Sequence, residues 1–294
     1  MTDKPIATVA RTNEILRRYD LFARKSYGQN FIVEPGIVEK IARLCRADET
    51  TAVIEIGPGI GALTEQLARI AHQVVAFEID QRLLEVLAET LSPYSNVEIV
   101  NQDFLQADLE GWVQKLKQNN DQVVLCANLP YYITTPILFS IFESRAEIPV
   151  ITVMVQKEVA DRFAAQVSSK DYNALSVIVQ YLYEVRVVMK VPRTIFNPRP
   201  EVDSAVVQFE KRIPERIAAD QQQFFSLVKG CFKQRRKTLL NNVREYLQDR
   251  EKAVRAIEGA GLDLSARAET LTLDQFLDLY EQICQLHAES CEKP

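Results

Sequence analysis

Asn128-Leu129-Pro130-Tyr131 follows the apolar run 123–127 and brings together a side-chain amide oxygen, backbone carbonyls and an aromatic face. This set suits a planar amine. An adenine-like base laid on the Tyr131 ring can give its two amino protons to the Asn128 oxygen and to the carbonyl of Leu129 or Pro130. The same tetrapeptide also suits a strand end followed by a turn, because Pro fixes φ and Asn tolerates unusual backbone angles. Upstream lies Glu55-Ile56-Gly57-Pro58-Gly59-Ile60-Gly61, with Glu78 placed 21 residues after Gly57. Glycines such as Gly57 and Gly59 let a ligand approach the backbone closely, and an acid at the end of the next strand can take both hydroxyls of a ribose. The spacing is Gly-x-Gly-x-Gly and departs from the dinucleotide pattern Gly-x-Gly-x-x-Gly. S-adenosylmethionine, which has no pyrophosphate to seat on a helix N-terminus, fits this loop better than NAD. Asp103, after a third strand, is placed to accept from the adenine amino group of that cofactor.

The elements that must hold these residues follow from periodicity. Short β-branched runs at 51–56, 74–79, 97–100, 123–127 and 149–155 alternate with helical patterns at 62–70 and 80–91, the second opening on Asp80 as a cap. This is an α/β fold with a mainly parallel sheet, and the near-continuous apolar runs place helices on both faces. Runs at 185–191 and 205–209 flank Phe196-Asn197-Pro198-Arg199-Pro200 and are expected to extend the sheet. Beyond Glu210 the β-branched runs stop, and helices are predicted over 224–243, 252–257 and 273–286, with a domain boundary near 210–218. The first thirty residues read as a separate basic arm containing an amphipathic stretch at 12–18.

Composition narrows the classes further. With 47% hydrophobic and 26% charged residues the chain is an ordinary globular protein, large enough for one substantial domain and a smaller one. No apolar run reaches a membrane span, and Met1-Thr2-Asp3-Lys4-Pro5 lacks a secretory pattern, so a cytoplasmic location is expected. The five cysteines are scattered and only His72 and His287 are present, which disfavours a metal centre, a disulfide framework and histidine-based catalysis. The net charge of −5 conceals an asymmetry: residues 229–244 carry six bases and no acid, whereas residues 245–294 carry eleven acids against five bases. A basic block on an acidic chain is a candidate polyanion contact, or a solvated helix face whose counter-charges lie elsewhere.

Taken together, Lys25-Ser26-Tyr27-Gly28-Gln29-Asn30-Phe31, the glycine loop, Glu78, Asp103, Asn128 to Tyr131, the block from Phe196 to Ser204, and Phe232-Lys233-Gln234-Arg235-Arg236-Lys237-Thr238-Leu239 resemble the small-subunit ribosomal RNA adenine N6,N6-dimethyltransferases along nearly the whole chain. Tyr27 stands where that family has leucine. The resemblance implies a Rossmann-like class I methyltransferase sheet plus a small C-terminal all-α domain, divided as a basic arm at 1–30 that is part of the catalytic module, a methyltransferase domain at 31–212 and a helical RNA-recognition domain at 213–294. It implies cofactor contacts at Asn30, Ile32, Gly57, Glu78, Asp103 and Asn128, with Gly59 in the same loop. It further implies a base pocket at Tyr131 with Phe196 on its other wall, catalytic groups at Asn128, Leu129 and Pro130, and RNA contacts at Lys233, Arg235, Arg236 and Lys237. The implied partner is the small ribosomal subunit through its 16S RNA, met by a monomer without metal. Related antibiotic-resistance methylases of the large-subunit RNA, and a ribosome-assembly factor with incidental catalysis, are the competing readings. A nicotinamide oxidoreductase is opposed by the glycine spacing.

Overall fold

The computed structural model describes residues 4–21 and 30–291. The block Lys25 to Gln29, with Tyr27, lies outside the described residues. Two compact units form, one from residues up to Ala160 with Val185–Lys211, the other from Asp161–Glu184 and the chain from Arg212 onward.

In the first unit the chain runs α1 (Val9–Arg18), β1 (Phe31–Ile32), α2 (Pro35–Leu44), β2 (Thr51–Ile56), α3 (Ala62–Ala68), β3 (Gln73–Glu78), α4 (Arg82–Thr90), β4 (Val97–Asn101), α5 (Leu109–Lys117), β5 (Gln122–Asn128), α6 (Thr134–Glu143) and β6 (Val150–Gln156). After α7 (Lys157–Phe163) and α8 (Ala174–Leu182), strands β7 (Tyr183–Val191), β8 (Phe196–Asn197) and β9 (Ser204–Lys211) follow. A seven-stranded sheet has the order β4-β3-β2-β5-β6-β9-β7. β2 pairs in parallel with both β3 and β5, so the winding direction reverses between β2 and β5. Crevices at such a reversal, beyond the carboxyl ends of the strands, are where open α/β sheets bind ligands. β9 closes onto β6 antiparallel, with Ser204 opposite Gln156. β2 and most of β3, β5 and β6 are buried residue by residue, as expected for strands covered on both faces. The expected Asp80 cap is displaced by one residue: Gln81 holds the N-cap position of α4, while Asp80 Oδ1 accepts from the Arg82 backbone N–H at 3.2 Å.

The described part of the arm is not separate from this unit. Ile6, Ala7, Ile15 and Leu21 are buried in the same core as Ile32 and Val38. The Ile6 N–H donates to Glu65 Oε2 at 3.0 Å, and Glu89 receives the Arg18 guanidinium at 2.6 Å together with the Tyr19 hydroxyl. The apolar face of α1 is what fixes it, with carboxylates of α3 and α4 satisfying its polar ends.

The second unit holds α8 with α9 (Gln221–Cys231), α10 (Leu239–Leu247), α11 (Arg250–Gly259) and α12 (Leu273–Cys291). Its core is aromatic: Phe224 lies 5.2 Å from Tyr181 and 5.7 Å from Tyr280, ring to ring. Tyr181 comes from α8, so residues 161–184 join the helical unit although they precede the last strands of the sheet. The helix expected over 224–243 is two helices. Thr238 caps α10 by accepting from the Asn241 N–H, and Asn242, 3% exposed, bonds both backbone groups of Gln234 at 3.2 Å, which stabilises a turn over 232–238. A Cβ at Gly230 would stand 2.8 Å from Tyr246 Cδ2, so the missing side chain lets α9 and α10 approach closely.

Candidate active site

The carboxyl ends of β2, β3 and β5 open onto a cleft of about 1120 Å³, its solvent mouth included. Asn30, Ile32, Gly57, Gly59, Glu78, Asp103 and the whole of Asn128 to Tyr131 line it. The loop after β2 needs its glycines: Gly61 has φ of 91°, and a Cβ there would meet Leu91 Cδ2 at 3.1 Å. Gly59, at φ of 61°, donates its backbone N–H to Glu78 Oε2 at 3.3 Å, which ties the loop to the end of β3.

Two glutamates lie under this cleft. Glu78 is 5% exposed, and its Oε1 accepts from the Asp80 N–H at 2.8 Å. Burial pushes its carboxyl up to about 7, against the backbone hydrogen bonds that favour the charged form. Glu55, 1% exposed, is pushed up by burial to about 8. Among the described residues, no hydrogen-bond partner meets Glu55 Oε2 or Thr64 Oγ1, both buried. A nucleoside bearing a cationic side arm fits this donor set, because ribose hydroxyls can use the Glu78 oxygens and a cation relieves the buried acids. Asp103 spends Oδ1 on the Leu105 N–H at 3.0 Å, capping a short turn, and Oδ2 takes no part in that cap. The Phe77 ring, edge-on to Phe104 and Trp112 at 5.5 Å from each, packs behind the strand ends.

At the end of β5, Asn128 is half-buried opposite Met154, and the next N–H, of Leu129, donates to the Met154 carbonyl at 3.1 Å. The Pro130 carbonyl already receives the Ile133 N–H at 3.2 Å and the Thr134 hydroxyl at 3.0 Å. Both of its lone pairs are engaged, so of the two carbonyls weighed for an incoming amine, that of Leu129 is the available one. The Tyr131 hydroxyl lies 2.6 Å from Ser204 Oγ, and burial raises its phenol above the usual range. Phe196 is not brought to the cleft: it is 4% exposed in the core, its strand pairing β8 with β1 opposite Ile32.

A family model described as ribosomal RNA adenine dimethylase matches residues 21–285. The chain belongs to that family. Among relatives of this dimethylase, a protein named ribosomal RNA small subunit methyltransferase A from Anoxybacillus flavithermus is 48% identical, covering 97% of this chain and 99% of its own. One of the same name from Geobacillus thermodenitrificans is 49% identical, covering 96% and 98%. Of solved structures, a dimethyladenosine transferase from Plasmodium falciparum aligns with TM-score 0.70 at 25% identity, over 86% of this chain and 97% of its own. A 23S rRNA methyltransferase, ErmE, aligns with TM-score 0.62 at 30% identity, over 87% and 100%. The Rossmann-like methyltransferase sheet with helices is thus the fold of this dimethylase.

In the second unit of the dimethylase, residues 233–237 are all exposed in the turn between α9 and α10. Lys233 pairs with Glu245 at 2.6 Å and Arg235 with Glu269 at 3.5 Å, so two of the four expected RNA contacts have local counter-charges. Among the described residues no ion pair involves Arg236 or Lys237. Ile79 and Tyr132, at 50% and 52% exposure, and the buried Glu55 also line the cleft, with no site role expected for them from sequence. Glu55 had a signal, an acid inside an otherwise apolar strand; an exposed hydrophobe just past a strand end has none.

Proposed function

We propose that this chain transfers methyl groups from S-adenosylmethionine to the N6 atoms of two adjacent adenines near the 3′ end of 16S ribosomal RNA. It does so in the cytoplasm, as a monomer without metal, acting on the small ribosomal subunit. The observation that carries this is the meeting, in one cleft, of Asn128 to Tyr131 with the glycine loop, Glu78 and Asp103. When bound, S-adenosylmethionine supplies an electrophilic methyl group on a sulfonium. Glu78 holds the ribose, Asp103 the cofactor adenine, and Asn30, Ile32, Gly57 and Gly59 shape the remaining wall.

The amino nitrogen of adenine is a poor nucleophile because its lone pair is delocalised into the ring. Asn128 Oδ1 and the Leu129 carbonyl each accept one amino hydrogen, which draws the nitrogen toward tetrahedral geometry and stabilises positive charge as it develops. Tyr131 replaces stacking lost when the base leaves its helix, worth about 1–3 kcal/mol per base. No general base is needed, since the alkylated nitrogen is acidic enough to release its proton to water. Lys233, Arg235, Arg236 and Lys237 contact phosphates and position the RNA without reading its sequence.

The test offers purified protein, with S-adenosylmethionine, three substrates: undermethylated small subunits, large subunits and naked RNA oligomers. Dimethylated adenines confined to the 3′ end of 16S RNA are expected by mass spectrometry. The likeness to a 23S rRNA methyltransferase supports a second reading, and product confined to a large-subunit adenine would establish it in place of the first.

A further inference from the structure

We propose that Ser204 is a positioning residue for the target base: its hydroxyl pins the far end of the Tyr131 ring and so fixes where the face on which the adenine stacks stands. The proposal rests on the adenine-methylation reading above and assigns to that pocket a part contributed from the far side of the sheet sequence. Tyr131 stands in the turn between β5 and α6, past the last residue of its strand, and is half-buried. A turn backbone does not by itself fix where the far end of such a side chain points. The hydroxyl-to-hydroxyl distance of 2.6 Å to Ser204 is at the short end for O–H···O and supplies that fix.

The anchor itself is firm. Ser204 is 1% exposed and is the first residue of β9, paired opposite Gln156 of β6. The carbonyl just before it, of Asp203, accepts the Lys157 N–H at 3.0 Å, and the Asp203 side chain accepts the Arg193 N–H at 2.9 Å. β9 is antiparallel to β6, so Ser204 at its start lies beside Gln156 at the end of β6, on the same side of the sheet as the end of β5. A ring tied at its hydroxyl to a rigid strand is already oriented when the base arrives, so stacking is gained without ordering the side chain at that moment.

A buried serine that merely satisfies its own hydrogen bond would be indifferent to the phenol's role in methyl transfer. A double-mutant cycle separates the two. Tyr131→Phe, Ser204→Ala and the double variant are compared by single-turnover methylation of undermethylated small subunits and by calorimetric affinity for S-adenosylhomocysteine. Each single variant is expected to lower methyl transfer by about 2- to 10-fold, the scale of one hydrogen bond. The double variant is expected to be no slower than the worse single one, and cofactor affinity is expected to stay unchanged. Full activity in Tyr131→Phe, or a Ser204→Ala loss that persists undiminished in the Tyr131→Phe background, overturns the proposal. Should Ser204→Ala not fold, Tyr131→Phe still decides, since an unimpaired rate there removes any need for the tether. A parent protein that methylates no adenine overturns the function itself; a parent that methylates while the cycle is additive overturns only the role of Ser204.

Discussion

The cleft of the first unit and the basic turn of the second use charge in opposite ways. Glu55 and Glu78 are 1% and 5% exposed, and both are held toward their neutral forms by burial. Lys233, Arg235, Arg236 and Lys237 are exposed, two of them with carboxylate partners. Buried groups interact strongly over short distances and demand an exact partner, whereas exposed ones are screened by salt and recognise any phosphate. On the proposed function the difference teaches that chemical selectivity and RNA affinity reside in separate places, each expected to be alterable without the other.

The sharpest way to break that separation is Asn128→Ala. Methyl transfer is expected to fall on the order of 10²–10³-fold, the cost of removing one group aimed at developing charge. Affinity for the small subunit is expected to hold; a comparable loss of binding, measured by filtration, would show that the two regions are not independent.

Next in size is a pH effect confined to the cleft. An acid whose folded value is about 8 against 4.5 unfolded keeps its proton in the native state while the unfolded chain loses its own. Ligand-free stability from this group is therefore full below about 4.5 and is lost as pH rises toward 8. Glu55→Gln is expected to flatten that decline, which for one proton amounts to at most about 1.4 kcal/mol per pH unit. Urea unfolding at several pH values measures it, and parallel curves for parent and variant would exclude a buried neutral Glu55.

Glu78→Ala takes away the proposed ribose contact and is expected to weaken S-adenosylhomocysteine binding about 10- to 100-fold by calorimetry, with RNA affinity unaltered. Unchanged cofactor affinity would remove Glu78 from the ribose site.

The smallest effect belongs to the turn. Replacing Arg236 and Lys237 by Ala is expected to weaken particle binding several-fold at physiological salt. The salt dependence should become shallower by about 0.7–0.9 in log–log slope for each lost phosphate contact. An unaltered slope would transfer RNA recognition to another surface.

Most of the cleft was legible because its parts hang from successive strand ends of one parallel sheet, and Gly57, Glu78, Asp103 and Asn128 therefore appear in chain order at recognisable punctuation. The helices of the second unit were legible from periodicity, yet their break was not: Asn242 clamps Gln234 from eight residues away, a contact that leaves no mark on local pattern. Phe196 was assigned to the pocket by its motif, while its place is set by strand pairing with Ile32, a partner 164 residues distant. The hydroxyl of Ser204 lay in a motif already noticed, but its link to Tyr131 spans 73 residues and belongs to tertiary structure alone. Residues 161–184 illustrate the same limit, since α8 is as apolar as any helix lining a sheet and only its aromatic neighbours assign it to the other unit.

That interleaving has a bearing on how the molecule is made. During synthesis β6 emerges before α8, and the strand that covers its free edge, β9, comes only after the chain has made its excursion into the helical unit. Until residue 211 has left the ribosome, β6 presents an unpaired row of backbone groups, the kind of edge on which nascent chains aggregate. The wall that holds Ser204 is thus the last strand of the sheet to be laid down, and a growing chain has every proposed cofactor contact in hand before it has a finished place for the proposed base.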